Sequence, residues 1–450
     1  MKLKNIISKL RNRHFLSLFG NGAMAVLGMV LAGILFRSMH SDDLGYWFFF
    51  QSIFVLLDTF RSGFLQVALI KFYTGAEKVK ADAVLGSVWY LGIIITGILV
   101  ILNILAVPLL NFTDSTGVII TIQWFGITFL CSLPSNIASW VLQAEQRFDK
   151  LLILRVINQG LFIVMVLLMV IFHNLTLDKI LIINAVCMLV VSIFCLFKGW
   201  THLDTFKKRT KESISELFHF GKYSVGTTIS SNLLRSSDTF IIMIVLGTAG
   251  PAAVAMYNIP MRLMEIIEIP LRSFLATGMP SMSEAFNKNN KKEVVNIMQK
   301  YGGLLTIALI PICLIAILLA DLAIGILGGG KYVGTEAVTV YRIFMSFAMF
   351  FPIDRFLGVT LDIIHQPRIN FYKVLVMLAT NIAFDFLGLY LFDGILGVAI
   401  ATFFTFLSGV LFGYFWLKKY LDFRLLSFFT VGFNEIKQLY SQLLYKNKAA

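Results

Sequence analysis

The chain has 450 residues, 58% of them hydrophobic and only 14% charged, against roughly a quarter charged in an ordinary soluble domain. A mean hydropathy of +0.82, carried along the whole length without a long polar stretch, excludes a soluble protein and a soluble catalytic domain tethered by one or two helices. Thirty-eight Lys and Arg against 25 Asp and Glu leave a net charge of +13, which a polytopic chain acquires from cytoplasmic loops that resist translocation, with no nucleic-acid partner required.

Crossing about 30 Å of hydrocarbon takes roughly 20 apolar residues in a helix. Residues 1–15, MKLKNIISKLRNRHF, read as a basic amphipathic cytoplasmic segment ahead of an uncleaved first helix, because the apolar run that follows is too long for a signal peptide. Six spans come next, near Leu16 to Phe36, Gly45 to Leu69, Val84 to Leu109, Val118 to Val141, Leu151 to Phe172 and Ile180 to Phe197. The longest polar stretch, residues 198–222, reads as a cytoplasmic linker. Six more spans lie near Tyr223 to Leu246, Ala252 to Met279, Gly302 to Leu327, Val338 to Leu361, Val374 to Leu391 and Ile395 to Leu417. In residues 418–450, Phe433, Ile436, Tyr440, Leu443 and Leu444 recur at helical spacing beside Lys437 and Lys446, as in a cytoplasmic interfacial helix.

With both termini cytoplasmic, the inside segments hold 28 Lys and Arg and the outside loops three, Arg37, Lys179 and Lys331. That bias sets the orientation in the membrane. The halves are weakly self-similar: Tyr46, Arg61 and Ser62 recur as Tyr257, Arg272 and Ser273 at one offset, and the break at Gln143 to Arg147 is echoed at Ile364 to Arg368. The expected fold is an all-α polytopic membrane protein of 12 transmembrane helices. Residues 16–197 and 223–417 form two six-helix bundles related by pseudo-twofold symmetry, with a substrate site near the midplane.

Seven arginines, Arg61, Arg155, Arg235, Arg262, Arg272, Arg342 and Arg355, fall inside spans, where each costs roughly 2.5 to 3.5 kcal/mol at a helix centre. Arg61 and Arg155 lie near cytoplasmic ends and have the option of snorkelling, whereas Arg235 and Arg262 lie near span centres. In the seventh span Ser224, Thr228, Ser231, Arg235 and Asp238 form one polar stripe. In the eighth, Arg262, Glu265 and Arg272 share a face with Glu268 one turn before Arg272. The second repeats the pattern more faintly with Gln51, Asp58, Arg61 and Ser62. Facing stripes of this kind would enclose a wet cavity lined by Gln51, Ser62, Ser224, Thr228 and Ser231. The competing reading is internal ion pairing, which the spacing suits for Asp58 with Arg61 and for Glu268 with Arg272. Pro134, Pro260, Pro270, Pro311 and Pro352 each remove a backbone hydrogen bond within a span and favour kinks.

No catalytic or metal constellation emerges. Cys131, Cys187, Cys195 and Cys313 all sit in apolar runs without a C-x-x-C pair, as buried small side chains do. The six histidines are scattered. The run Gly325 to Lys331 imitates a phosphate loop, but Tyr332 stands where Ser or Thr would hold magnesium, so it reads as a turn.

On these residues the chain resembles the polysaccharide and O-antigen flippases of the multidrug, oligosaccharidyl-lipid and polysaccharide exporter (MOP) superfamily, which includes the MATE transporters. The resemblance rests on Phe36 through Tyr46, Asp58-Thr-Phe-Arg-Ser-Gly63, Arg235-Ser-Ser-Asp238, Met256-Tyr257 through Arg262, and Gly329-Gly-Lys-Tyr332. It implies a non-enzymatic flippase that moves an undecaprenyl-pyrophosphate-linked oligosaccharide to the outer leaflet by alternating access, in O-antigen or other lipopolysaccharide assembly. It also implies Arg61, Arg235, Arg262 and Arg272 as substrate ligands, because the guanidinium fork matches adjacent phosphate oxygens. The candidates for a coupling proton or sodium ion are Asp58, Asp238, Glu265 and Glu268, with the membrane potential as the other energy source and no further cofactor. The expected partners are the lipid-linked substrate, the bilayer, a polysaccharide polymerase and a chain-length regulator. Two alternatives remain: a cation-coupled multidrug exporter of the same superfamily, and a membrane polysaccharide polymerase or glycosyltransferase. The lipid II flippases of the superfamily carry an Arg-Asp pair in the first helix, where this chain offers Asn21 and Gly22. That departure argues against a peptidoglycan role.

Overall fold

The computed structural model describes residues 13–392 and 394–448; most of the 1–15 segment therefore lies outside them. The first half of the chain folds into α1 (Arg13–Ser38), α2 (Ser41–Tyr73), α3 (Lys78–Leu105), α4 (Thr116–Ala144), α5 (Phe148–Ile171) and α6 (Leu177–Phe197). The second half holds α7 (Lys211–Val245), α8 (Gly250–Asn287), α9 (Lys291–Leu318), α10 (Ala320–Gly328), α11 (Glu336–Ala348), α12 (Phe351–Ile363), α13 (Pro367–Leu391), α14 (Leu396–Leu417) and α15 (Ser427–Lys448). No strand occurs among the described residues.

Eight of these helices, α2 to α6, α9, α13 and α14, are long and apolar enough to cross a membrane. The pair α11–α12 makes a ninth span bent by 53°, and α1 is apolar over Gly22–Ser38. The long helices α7 and α8 run 35 and 38 residues but are too polar to qualify by composition, which is the mark of the stripes they carry. The fold is the all-α, twelve-span arrangement expected, with α9 and α10 together in the ninth position.

Proline explains one of the two breaks. Pro352 sits in the first turn of α12, where its missing N–H and its ring against the carbonyl four residues back end α11 at Ala348. Pro134, Pro260, Pro270 and Pro311 lie inside unbroken helices. The expected ninth span, Gly302 to Leu327, is divided at Leu319, with Asp321 in the first turn of α10 and a turn at Gly329, where φ is +69°. The loop-like Gly325 to Lys331 run is thus a helix end and a turn.

The echo between the halves is visible at helix ends. Residues Gln146 and His365 both adopt left-handed backbone, φ +56° and +61°, and each is followed by a six-to-one bond, Arg147 N–H to the Leu142 carbonyl at 2.8 Å and Gln366 N–H to the Leu361 carbonyl at 2.9 Å. This is the Schellman ending, which satisfies orphan carbonyls and reverses the chain in a few residues.

By packing the chain divides into two units, one of residues 1–243 and 247–255, the other of residues 244–246 and 256–450. Helix α7 therefore belongs with the first six helices: Phe218 packs edge-on to Phe64 at 5.5 Å, and Phe240 to Phe49 at 6.0 Å. The core of this unit joins α2, α3, α4 and α7 through Leu65, Leu69, Val88, Trp89, Ile137, Leu217 and their neighbours. The 198–222 segment is no loose tether. Its second half is the start of α7, and its first half is seated on α3: Trp89 Nε1 donates to the Thr201 carbonyl at 2.9 Å and Lys208 reaches Asp82 at 2.8 Å. Gly86 makes this seat possible, since a Cβ there would stand 2.3 Å from the Thr205 carbonyl oxygen.

In the second unit α13 and α14 form a tight hairpin against α11 and α12, and α15 lies on α9. Gly303 has no side chain to hold off α15: a Cβ would meet the Phe428 carbonyl oxygen at 2.0 Å. Lys300 and Glu435 then pair at 2.8 Å. The start of α15 is thereby anchored to a span; Tyr440, Leu443 and Leu444 of its expected apolar face lie outside the described side chains.

Candidate functional site

In the first unit the second-span stripe turns inward. Arg61 is fully buried, and α3 and α4 close around it. Its Nε and Nη2 donate to Asp58 Oδ1 at 3.2 and 2.5 Å, Nη1 to Thr96 Oγ1 at 3.2 Å and to the Phe129 carbonyl at 3.1 Å, and Nη2 also to Ser132 Oγ at 2.7 Å. The guanidinium lies 3.8 Å from the centre of the Phe129 ring, and Asn136 donates to the same Asp58 oxygen at 3.0 Å. A guanidinium with its donors committed and no exposed surface has no edge for a ligand. The expected substrate role of Arg61 gives way to that of an interior node joining three helices, and snorkelling does not apply to it. Asp58 takes both the cation and the amide on Oδ1, with its side chain 24% exposed. Gln51 and Ser62 are half-buried, Ser62 Oγ returning to its own helix at the Thr59 carbonyl, 3.5 Å away.

The α7 stripe is placed differently. Arg235 and Ser231 are exposed, Thr228 is half-buried and Asp238 is buried; the side chain of Ser224 lies outside the described residues. Arg155 is exposed on α5.

In the second unit the α8 stripe presents its charges outward. Arg262 Nη1 donates to Glu265 Oε1 at 3.1 Å, with both side chains more than a third exposed. Ten residues on, Arg272 donates to Glu268 Oε2 at 2.6 Å, and Arg355 of α12 stands 3.9 Å from the other oxygen of Glu268. Three of the four acids proposed for ion coupling, Asp58, Glu265 and Glu268, are thus each paired with an arginine of their own helix. Among the described residues no three His, Cys, Asp or Glu converge as a metal site.

The arrangement includes a pair that sequence reasoning passed over. Lys373, counted there with a cytoplasmic loop, is buried in α13, its Nζ 2.5 Å from Asp354 Oδ1 and 3.0 Å from the Asp354 carbonyl, both side chains 4% exposed. Four residues apart on the same α13, Asn381 donates to Asp385 at 3.0 Å, both buried. The signal was available: Asp354 and Asp385 are the lone acids of their apolar spans, and such an acid needs a donor.

At the C-terminal ends of α2 and α4 a small titratable cluster forms. Tyr73 donates to Glu145 at 3.0 Å, and His202 Nε2 lies 3.4 Å from the same carboxylate. The hydrogen bond to Glu145 raises the His202 pKa, and that same bond holds Glu145 below the usual carboxylate range.

Residues 34–337 match the family model described as polysaccharide biosynthesis protein. The chain belongs to that family. No curated protein matches this family member in sequence, but its fold is found in solved structures. An inward-facing multidrug resistance MATE transporter of the MOP superfamily, 14% identical, superimposes with a TM-score of 0.73 over 88% of this chain and 95% of that one. The lipid II flippase MurJ in an inward closed conformation, 16% identical, gives 0.71 over 95% and 92%. A MOP superfamily transporter from Pyrococcus furiosus, also 16% identical, gives 0.61 over 91% and 96%. The fold of this polysaccharide biosynthesis protein is therefore that of the MOP transporters, a multi-pass membrane architecture.

Proposed function

We propose that the chain is a lipid-linked oligosaccharide flippase, carrying an undecaprenyl-pyrophosphate-linked repeat unit from the cytoplasmic to the outer leaflet of a bacterial inner membrane by alternating access, with both termini cytoplasmic. The observation that carries this reading is the exposure of Arg235 and Arg272, with Arg262 half-exposed, on α7 and α8, the two long helices too polar to be apolar spans, in a member of a polysaccharide biosynthesis family. Guanidinium groups that face outward at membrane depth suit an anion with adjacent oxygens. The lipid II flippase among the structural relatives shows that this fold accommodates a flippase. For the Pyrococcus furiosus transporter, reverse polarity of the binding pocket suggests a different function, so polarity is the property to read here: α8 pairs Arg262 with Glu265 and Arg272 with Glu268, and Arg355 of α12 adds a third guanidinium beside Glu268.

Energy is available without nucleotide hydrolysis. With the inside negative, two negative charges moved fully outward gain about 4.6 kcal/mol at 100 mV. A proton or sodium ion coupled through Asp238 is the other route. An O-antigen or related lipopolysaccharide unit is the cargo this reading favours, handed on to a polymerase and a chain-length regulator. A cation-coupled multidrug exporter shares the architecture, but cationic cargo would meet repulsion from exposed arginines.

Arg235→Ala and Arg262→Ala in the full chain test the proposal. Surface polysaccharide should fall at least about tenfold for each, with protein levels unchanged, and lysine should rescue only in part because it keeps the charge and loses the fork. Full export from both alanine variants would refute it.

A further inference from the structure

The two arginine clusters of the second unit are too far apart along α8 to serve one headgroup. Arg262 and Arg272 are separated by ten residues, or about 15 Å of helix, half the hydrocarbon thickness, whereas a diphosphate spans only a few ångströms. Their surroundings differ as well. Arg262 meets an acid of its own helix, Glu265, at 3.1 Å. At the second cluster Glu268 stands between two arginines from different helices, Arg272 at 2.6 Å and Arg355 at 3.9 Å, so two guanidinium groups share one carboxylate.

Exposure completes the picture. The side chains of Arg272 and Arg355 are 61% and 52% exposed, while that of Glu268 between them is 23% exposed. The acid is recessed and the two guanidinium groups project. Arg355 stands beyond hydrogen-bonding distance of Glu268, so it is held by charge alone and is available to swing to a stronger acceptor. On the orientation proposed above, α8 runs inward from Gly250, which places Arg272 and Arg355 on the cytoplasmic side of Arg262.

We propose that Arg272 and Arg355 form a separate loading station for the diphosphate of the lipid carrier, on the cytoplasmic side of Arg262, with Glu268 as an internal anion that occupies the station until cargo displaces it. Two forks from two helices match two phosphates. The station therefore selects a prenyl diphosphate over any headgroup with one phosphate, including a prenyl monophosphate and the bilayer phospholipids. Arg355 is the residue that confers this choice, since without it α8 offers a single arginine at that level. The assignment rests on the flippase reading and adds to it where cargo enters and how its phosphorylation state is checked.

The test uses the full chain in phosphatidylcholine nanodiscs, with farnesyl diphosphate and farnesyl monophosphate as probes. Wild type should bind the diphosphate at least about tenfold more tightly, the value of one charge-assisted pairing. Arg355→Ala should abolish that ratio, Arg355→Lys should restore it in part, and Glu268→Gln should tighten diphosphate binding several-fold by removing the competing anion. These opposite signs separate ligand binding from a structural ion pair, whose loss from either side would act alike. Because Arg355 is half-exposed, its variants should melt with wild type, and Arg355→Gln repeats the measurement with the side-chain bulk kept. A preserved ratio in Arg355→Ala and Arg355→Gln, together with weakened binding in Arg262→Ala, overturns the station and leaves the flippase reading standing. No preference for farnesyl diphosphate over farnesol in wild type overturns both. Loss of diphosphate binding when phosphatidylglycerol is added to the discs overturns the selectivity, since the site would then take single-phosphate headgroups.

Discussion

Arg61 offers the sharpest division between a ligand-binding and a structural arginine. Truncation to Ala removes the cation beside Asp58 and the donor to Thr96 Oγ1, whose residue is 1% exposed. Ser132 Oγ still donates to the Phe129 carbonyl at 2.8 Å, so both of those groups keep a partner, and Asn136 still donates to Asp58 Oδ1, at 3.0 Å. Breaking a buried pair from one side costs about 3 to 5 kcal/mol. Asp58 is 24% exposed, which places the expected loss near the lower figure, about 3 kcal/mol. Arg61→Lys should recover part of it, keeping the charge but not the fork that reaches α3 and α4 together. Neutralising the orphan carboxylate as well should help: Asp58→Asn in the Arg61→Ala background is expected to return about 1 to 2 kcal/mol, within the usual coupling range for residues in contact. Equilibrium unfolding of the full chain in detergent, followed by tryptophan fluorescence, measures all four proteins. An Arg61→Ala protein that unfolds with wild type yet fails to export polysaccharide would refute the structural assignment and return Arg61 to the cargo path.

Gly86→Ala should lift the 203–208 turn off α3, because the new Cβ would stand 2.3 Å from the Thr205 carbonyl; a loss of about 1 to 3 kcal/mol and faster protease cleavage near Lys207 to Lys211 are expected, and unchanged cleavage would count against the seated linker. His202→Gln tests the titratable cluster. The folded pKa of His202 is raised by Glu145, so the stability it contributes is fully present below the unfolded value of about 6.5 and disappears as pH rises through the folded value. Wild type should therefore exceed His202→Gln in melting temperature at about pH 6 and converge with it at about pH 9, and a pH-independent gap would contradict the imidazolium–Glu145 pairing. Replacing His173, held at φ +49°, by Gly should raise stability by about 1 kcal/mol, the ordinary cost of left-handed backbone in a residue with a Cβ; a lower melting temperature would show instead that the imidazole supports the turn.

How far this fold and its site were legible in the sequence depends on whether the deciding residues lie on one helix or several. A run of some twenty apolar residues carries its own reason to be a helix in lipid, so the spans were readable, as was the interruption at Pro352. The division at Leu319 was not, because Leu318-Leu-Ala320 continues an apolar run with neither Gly nor Pro. The same distinction governs the arginines. Arg61 and Arg272 occupy equivalent positions in the repeat, each with an acid three or four residues before it, and nothing along their own helices predicts that one is fully buried and the other 61% exposed. What separates them lies elsewhere in the chain: α3 and α4 bring Thr96, Ser132 and Asn136 over Arg61, whereas the residue facing Arg272 across Glu268 is a second arginine, Arg355. A polar stripe specifies which face of a helix requires a partner; the neighbouring helices decide whether that partner is the protein itself or something it carries. By that criterion Arg272 of α8 and Arg355 of α12 are the groups proposed to meet an anion, and Arg61 is part of the frame that holds α2 against α3 and α4.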